Sequence, residues 1–270
     1  MTCSARIAAR SRPISFPEGT ETLPYGVNDR GQVVGSYRDP TGAVKGFLFE
    51  NGTYISVSIG GSATTNFYDI NSAGAIAGLY SGSSGQHGFV WRNGSLTTID
   101  VPGAAATYPA ALNDNGTVVG MYVESGDGPE HGFIYRRGRF TTVDYPGGIN
   151  TVLRKISNTG AVFGSSFTGT GTVDFLYVRG TFLPISGCQP QDETLIGITP
   201  KGEPFGFVAT DGGNTAGFVL TRRQYTLIQP PAATRVLIRD ADARFATGEY
   251  YDGTRSRGFV YVAKRKASDR

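Results

Sequence analysis

The residues of this chain that could do chemistry are charged and aromatic side chains that interrupt an otherwise regular sequence. They are Tyr25, Phe67, Tyr68, Asp69, Tyr108, Arg154, Lys155, Asp192, Glu193, Arg235, Arg239 and Asp240. Aromatic rings stack on flat ligand faces, while arginine and carboxylate groups form charge-assisted hydrogen bonds. This mixture predicts a binding site for a polar ligand with one flat face, such as a sugar ring.

An enzymatic role is the alternative for the same residues. Arg154 next to Asp192 or Glu193 would suit acid–base chemistry if burial shifts a pKa. With Asp240 and Tyr68, Arg154 and Glu193 are the catalytic candidates for a lyase, hydrolase or isomerase that works without a tightly bound metal. The sequence lacks Gly-x-Ser-x-Gly, P-loop, His-Glu-x-x-His and Cys-x-x-Cys motifs. We therefore expect neither a metal nor a cofactor.

The two histidines, His87 and His131, resemble a catalytic pair but have a simpler interpretation. They stand at the same position of adjacent sequence repeats, where Lys45 and Arg257 stand in other repeats. A position that recurs in this way indicates a structural role.

A motif of about 43 residues recurs along the whole chain. Its first half, Val-Asn-Asp-Arg-Gly-Gln-Val-Val-Gly in the first copy, closes on glycines at 35, 78, 120, 164, 206 and 248, in steps of 43, 42, 44, 42 and 42. Its second half is an aromatic strand with phenylalanines at 47, 89, 133, 175, 218 and 259, in steps of 42, 44, 42, 43 and 41. Periods of this length are typical of β-propeller blades.

Each repeat predicts four short strands, A to D. Strand A ends at an Asn-x-x-Gly turn, and strand B carries a glycine that suggests a bulge or close approach by a neighbouring blade. Strand C is the Gly-Phe segment, and a tight turn such as Asn51-Gly52 connects it to strand D. Strand D is expected at 97–103 and 141–147.

The two ends of the chain predict how the ring closes. The sixth repeat ends after its Gly-Phe strand and has no strand D, whereas residues 12–19 match strand D ahead of the first repeat. Pairing this segment with Gly258–Tyr261 would remove an exposed sheet edge. We therefore predict an all-β, six-bladed propeller over residues 12–262, with a flexible leader at 1–11 and a basic frayed tail at 263–270.

This architecture places the candidate residues together. Functional residues on repeat scaffolds lie in loops and positions that differ between copies. Connections from strand D to the next strand A meet at one face, so the candidates should ring the mouth of the central channel. Blades one to three supply aromatic residues, and blades four to six supply charges of both signs.

The repeats resemble the HAF-type repeat family, which takes its name from a His-Ala-Phe run. That run corresponds here to His87-Gly88-Phe89 and His131-Gly132-Phe133, and the first three copies match the family's Ile-Asn-x-x-Gly-x-Val-Val-Gly half best. The resemblance covers roughly residues 12–262. It implies a propeller from a bacterial and often secreted protein, but it implies no particular ligand.

The composition and charge of the chain limit the kinds of partner that it is expected to bind. The net charge is +3 and the basic residues are scattered, with one basic run at Lys264-Arg265-Lys266. A nucleic-acid surface needs a basic stripe or patch, and a membrane span needs about 18 apolar residues; neither pattern occurs. The first twelve residues do not match a signal peptide, and Cys3 and Cys188 are not favoured as a bridge. We expect a monomer that binds a small polar molecule or glycan, with a protein-interaction scaffold as a further alternative.

Overall fold

The fold is an all-β propeller of six blades. A computed structural model describes residues 4–8, 11–83, 85–126, 128–185, 193–210, 213–221, 224–242 and 244–263, without the side chains of residues 4–8 and 193. Each blade contains four antiparallel strands, A to D from the channel outwards. In these ranges no helix is long and apolar enough to cross a membrane. The predicted fold class and blade number are confirmed.

The first three blades follow the chain in order. Blade 1 contains β3 (Glu21–Val27), β4 (Val33–Arg38), β5 (Val44–Glu50) and β6 (Thr53–Val57). Blade 2 contains β7 (Thr65–Ile70), β8 (Ile76–Gly82), β9 (Gly85–Arg92) and β10 (Ser95–Thr98). Blade 3 contains β11 (Ala106–Leu112), β12 (Val118–Val123), β13 (Glu130–Arg136) and β14 (Arg139–Thr142).

The last three blades include both ends of the described chain. Blade 4 contains β15 (Asn150–Ile156), β16 (Val162–Phe167), β17 (Thr172–Val178) and β18 (Thr181–Pro184). Blade 5 contains β19 (Glu193–Ile198), β20 (Pro204–Thr210), β21 (Asn214–Thr221) and β22 (Gln224–Ile228), with β1 (Ser4–Ala8) outside them. Blade 6 contains β23 (Arg235–Ala241), β24 (Phe245–Tyr251), β25 (Ser256–Val262) and β2 (Ser11–Ile14).

The ring closes as the sequence predicted. β2 pairs antiparallel with β25, with Ser11 opposite Tyr261 and Ile14 opposite Gly258. Ile14 packs in one hydrophobic cluster with Val27 of blade 1 and Val260 of blade 6. The N-terminal strand therefore completes the last blade and also packs against the first.

The N-terminal segment, which the sequence predicted to be a leader, contains one strand. Ser4–Ala8 forms β1, which pairs in parallel with β22, so that Ser4 lies opposite Gln224 and Ala8 opposite Ile228. This strand adds hydrogen-bond partners to the outer edge of blade 5. Of the predicted basic tail, Ala263 is described and donates its N–H to Arg244 O at 2.8 Å.

Strand D is shorter than predicted. β10 ends at Thr98 and β14 at Thr142, and the second half of each predicted segment is a turn. In blade 2, Ala104 N donates to Val101 O within this turn, and Val101 N donates to Thr107 Oγ1. Pro102 has no N–H for a strand partner, which is consistent with the strand ending before it.

The six strand-C phenylalanines form the centres of the blade cores. Each is fully buried, and they are Phe47, Phe89, Phe133, Phe175, Phe218 and Phe259. The glycine before Phe89 lies against the next blade, because a Cβ on Gly88 would come within 2.7 Å of Pro109 Cγ. Neighbouring sheets therefore pack closely at this position.

The strand-B glycines leave room for a bulge in strand A of the same blade. All six innermost strands change register by one residue at the same point. In blade 3, a Cβ on Gly120 would lie 2.1 Å from Tyr108 O on that bulged strand. The predicted close approach is real, but at this position the nearest atom belongs to the same blade.

The turn asparagines connect blades as well as shaping turns. The Asn71 side-chain oxygen accepts N–H groups from Ala73 and Ala75 in its own turn, as predicted. Its amide nitrogen donates to Asn113 O of the next blade at 3.0 Å. Asn28 and Asn113 donate in the same way to the blades that follow them, at 3.0 and 3.1 Å. These bonds link blades 1, 2, 3 and 4 in order.

Candidate functional site

The six strand-A bulges converge on one cavity at the channel mouth. In each blade the register change leaves one extra residue, and an extra residue in a bulge redirects its side chain. These residues are Tyr25, Tyr68, Ala110, Arg154, Ile196 and Arg239. All six line a single cavity of about 370 Å³. We call it the channel cavity.

One side of the channel cavity is aromatic. The rings of Tyr25 and Tyr68 meet edge to face with centroids 5.6 Å apart, and Tyr108 and Met121 extend this wall. Burial, with smaller contributions from the nearby Tyr25 and Tyr108, raises the pKa of Tyr68 to about 12. The Tyr68 phenol therefore stays protonated at neutral pH and can donate a hydrogen bond.

Arg239 is held in place by two partners. Its Nε and Nη2 donate to Glu249 Oε1 at 3.1 and 2.9 Å, and its guanidinium carbon lies 5.7 Å from the Tyr25 ring centre. A guanidinium over an aromatic face gains cation–π stabilisation. Desolvation raises the pKa of Tyr25, so this ring is also uncharged at neutral pH.

Arg154 has fewer partners. Its Nε donates to Ser165 Oγ at 3.0 Å, and its side chain is exposed to the cavity. In the part of the chain that the structure describes, no carboxylate pairs with it. Among the described side chains, only Ser165 is hydrogen-bonded to this guanidinium, through Nε, so its two terminal nitrogens are the groups that a ligand could meet.

A buried ion triad forms the floor of the cavity. Lys155 Nζ contacts Asp240 Oδ1 at 2.7 Å and Asp69 Oδ1 at 3.1 Å, and all three side chains are at most 9% exposed. The remaining carboxylate oxygens accept backbone N–H groups from Val27 and Leu112, at 2.8 and 2.9 Å. The triad joins blades 2, 4 and 6 across the axis, and its Lys155 is part of the cavity lining.

Small residues alternate with the triad around the ring. The position after each bulge is occupied in turn by Gly26, Asp69, Ala111, Lys155, Gly197 and Asp240. A Cβ on Gly197 would lie 2.7 Å from Lys155 Cγ. Small side chains in blades 1, 3 and 5 thus make room for charged ones from blades 2, 4 and 6.

Burial and mutual contact set the charges of the triad. Burial raises the pKa of Asp69 to about 7, since the lowering effect of Lys155 is smaller and Asp240 raises it further. Burial alone would lower the pKa of Lys155, but the carboxylates of Asp240 and Asp69 together keep it above the ordinary value. Lys155 is therefore an ammonium ion at neutral pH and is unsuited to act as a nucleophile.

The structure brings six of the predicted residues together at the cavity. They are Tyr25, Tyr68, Tyr108, Arg154, Lys155 and Arg239. Phe67 is not among them, because the side chains next to each other on a strand face opposite ways. It is fully buried against Phe89 and Trp91. Arg235 lines a separate groove of about 350 Å³ between blades 5 and 6.

The acidic candidates have different positions from those expected. Asp69 and Asp240 are buried in the triad, so the prediction that they meet a ligand directly is corrected. Asp192 lies outside the described residues. Glu193 begins β19 opposite Val208, and its side chain is not described. Its pairing with Arg154 stays a prediction.

Sequence reasoning missed the apolar part of the lining. Ala110 and Ile196 occupy the same bulge position as Tyr25, and Met121 follows the strand-B glycine of blade 3. The bulge residue always stands three positions before the residue that opens the A–B turn. Applied to every repeat, that spacing would have found Ala110 and Ile196.

The histidines form the same contact in two blades. His87 Nδ1 lies 2.7 Å from Asp100 Oδ2, and His131 Nδ1 lies 2.8 Å from Asp144 Oδ2. Asp100 Oδ1 also accepts the N–H of Gly88 at 3.1 Å. Each pair ties strand C to the segment after strand D, and the repetition matches the structural role expected for this position.

Comparison with known proteins shows a fold and no family. No family model matches the chain, and no curated protein matches it. TolB from Acinetobacter baumannii aligns with a TM-score of 0.55 at 11% identity, over 92% of this chain and 65% of TolB. A streptogramin B lyase gives 0.51 at 13%, over 95% and 87%. A variant of Aleuria aurantia lectin in complex with Fucα1-6GlcNAc gives 0.50 at 9%, over 93% and 99%. At these identities the likeness concerns the fold alone.

Proposed function

We propose that this protein is a ligand-binding propeller that takes a polar small molecule, a glycan or a peptide at the mouth of its central channel. The observation that carries the proposal is the convergence of all six bulge residues on one cavity that has the buried triad at its base. With side chains that meet across the axis at its base, the cavity is a cup that can hold a ligand. Its volume falls within the range of about 300–1,000 Å³ that is common for small-molecule sites.

The lining of the cup suits a polar ring compound. Tyr25, Tyr68 and Tyr108 offer aromatic surface on one side, and Arg154 and Arg239 offer hydrogen-bond donors. Few polar groups placed around apolar and aromatic surface are typical of ligand sites. The lectin named above holds a glycan, which supports a sugar as one ligand class for this fold.

One contact favours binding over catalysis. Asp240 is paired with Lys155 at 2.7 Å, and both side chains are buried. Tyr68, whose pKa burial raises to about 12, can donate a proton or a hydrogen bond but is no base at neutral pH. The enzymatic alternative therefore loses Asp240 and keeps Arg154, Glu193 and Tyr68.

The scaffold alternative finds little support on the blade edges. The exposed large apolar residues of the outer strands include Ile55, Leu96 and Leu183, with 46%, 40% and 48% exposure. They lie on blades 1, 2 and 4, one to a blade. Single exposed apolar residues are normal on protein surfaces, whereas interfaces need a contiguous patch.

The test is a ligand screen followed by tyrosine substitutions. Glycan and metabolite libraries would be screened against the wild-type protein, and hits would be titrated by calorimetry. We expect Tyr68→Ala to weaken binding about ten-fold or more, which corresponds to about 1.4 kcal/mol. Tyr251→Ala is the matched control, because Tyr251 lines the groove between blades 5 and 6.

Two results would overturn the proposal. One is the lack of any ligand at millimolar concentration. The other is a ligand whose affinity is unchanged by Tyr25→Ala and Tyr68→Ala. Loss of binding in Tyr251→Ala alone would place the site in the groove between blades 5 and 6.

A further inference from the structure

We propose that the ligand of the channel cavity carries one carboxylate, as an acidic sugar does, and that Arg154 binds this carboxylate. The inference rests on the proposed function and names the ligand class of the same site. It follows from which charged groups around the cavity have partners among the described side chains and which one has no carboxylate there.

The described carboxylates at the cavity are all occupied. Asp69 and Asp240 share the ammonium group of Lys155. Glu249 accepts two hydrogen bonds from Arg239. These contacts leave the guanidinium of Arg154 as the cationic group of the lining without a carboxylate among the described residues. A ligand with one negative charge would supply the missing partner.

Arg154 is also held in a suitable orientation. Ser165, which is buried, accepts a hydrogen bond from Nε at 3.0 Å, and this contact leaves the terminal nitrogens for another partner. Two parallel N–H donors match the two oxygens of a carboxylate. A lysine at this position would offer charge without that planar geometry.

The rest of the lining places the ligand's ring. Blade 4, which carries Arg154, lies opposite blade 1 in a ring of six, so Arg154 and Tyr25 face each other across the cavity. A ring compound that stacks on Tyr25 and Tyr68 would have its far side directed towards Arg154. A carboxylate on that side of the ring would therefore meet the guanidinium.

The charge of the floor favours one negative charge over two. Lys155 stands against two carboxylates, Asp69 and Asp240. The charge of Arg239 is already balanced by Glu249. The second charge of a phosphate would find no unpaired cation among the described residues and would face the floor. A carboxylate therefore fits better than a phosphate.

The experiment compares matched sugars. Glucuronate and galacturonate, the methyl glycosides of glucose and galactose, and glucose 6-phosphate would be titrated by calorimetry into the wild-type protein. The same panel would be titrated into Arg154→Gln, Arg154→Lys and Arg136→Gln. Arg136 is an exposed arginine at the end of β13, remote from the cavity lining, and serves as the control.

We expect a uronate to bind at least ten-fold more tightly than its neutral counterpart. Arg154→Gln should bring the two affinities together while the melting temperature stays unchanged, and Arg154→Lys should keep part of the preference. Arg136→Gln should keep all of it. Added salt should reduce the advantage of the uronate, because salt screens exposed charges.

The outcomes separate this inference from the proposed function. Equal binding of acid and neutral sugar, or a preference that survives Arg154→Gln, would overturn the carboxylate assignment but leave the cavity as a binding site. Tighter binding of glucose 6-phosphate would overturn the single-charge argument. Failure of the whole panel would also overturn this inference, and the tyrosine substitutions on hits from the unbiased screen would then decide the proposed function.

Discussion

Lys155 is the residue on which the centre of the molecule depends. A buried charge is costly to desolvate, and it is tolerated when its partners and hydrogen bonds compensate. Here the ammonium group has two carboxylate partners, and each carboxylate also accepts a backbone N–H from the next blade. The triad thereby connects five of the six blades through side-chain contacts on the axis. It also sets the depth of the cavity above it.

Replacing Lys155 by methionine should destabilise the protein strongly. The substitution keeps an apolar stem but leaves Asp69 and Asp240 buried without a cation. Removing one member of a buried ion pair costs about 3–5 kcal/mol. Urea unfolding at pH 7 measures this loss. A triple variant that also carries Asp69→Asn and Asp240→Asn should regain much of it, and an unchanged midpoint in Lys155→Met would contradict the role given to the triad.

Asp69 should make stability depend on pH. Burial raises its folded-state pKa to about 7, whereas an unfolded aspartate titrates near 3.9. Between these values the folded protein holds a proton that the unfolded chain releases, so the free energy of unfolding falls as pH rises and levels off above about 7. The raised pKa of Lys155 acts in the alkaline range, outside this window. Urea unfolding from pH 4.5 to 8 should show the decline in the wild type and a flatter profile in Asp69→Asn. Parallel profiles would contradict the assignment.

At the scale of strands, the bulge in strand A makes the site. In a regular strand, successive side chains point to opposite faces of the sheet. Tyr25, Tyr68, Arg154 and Arg239, one in each of four innermost strands, are the extra residues of their bulges. The bulge brings them to the cavity and lets the following residue reach the axis. Strand B accommodates the bulge with a glycine in every blade. The strand-A bulge is therefore a feature of the scaffold that recurs in every blade, and it also positions the residues of the site.

Substituting a strand-B glycine should disrupt a blade. A Cβ on Gly120 would lie 2.1 Å from the carbonyl oxygen of Tyr108, closer than any real contact allows. Overpacking a tight site costs about 1–3 kcal/mol or more. Gly120→Ala should therefore lower the melting temperature clearly, while Gly126→Ala, with nothing within 4 Å of the added atom, should not. Equal melting temperatures would show that the bulge relaxes without cost.

The sequence predicted those parts of the fold that are marked by repeated local motifs. The Asn-x-x-Gly turns and the Gly-Phe strands recur at one period, so the blade number and the four strands of each blade followed from them, and the match of residues 12–19 to strand D gave the closure. The strand-B glycine indicated a bulge but not which strand-A residue is the extra one, and that is why Phe67 was placed at the mouth although it is in the core. The pairing of Lys155 with Asp69 spans 86 residues, a separation at which no spacing rule applies. Membership in the HAF-type repeat family stays a prediction.

At the scale of the whole molecule, one short strand closes the ring. β2 comes from the start of the propeller and pairs with β25 at its end. The other blades are made of consecutive strands, and blade 5 adds β1 at its outer edge. If β2 detached, β25 would become an unpaired edge, and the cluster between blades 6 and 1 would lose Ile14. We therefore expect the propeller to open first at the pairing of β2 with β25.

Ile14 offers the sharpest test of this idea. It is 2% exposed and packs with Val27, Val33 and Val260. Burying an aspartate there should cost about 3 kcal/mol or more, which for a chain of this size lowers the melting temperature by roughly 6–12 °C.

Ile55→Asp is the matched control, because Ile55 lies on the outer strand of blade 1 with 46% exposure. It should change stability by less than about 0.5 kcal/mol. Ile14→Asp should also self-associate on gentle heating, since a freed β25 edge can pair with another chain. Light scattering during thermal unfolding detects this, and equal behaviour of the two variants would mean that the ring holds together without its N-terminal strand.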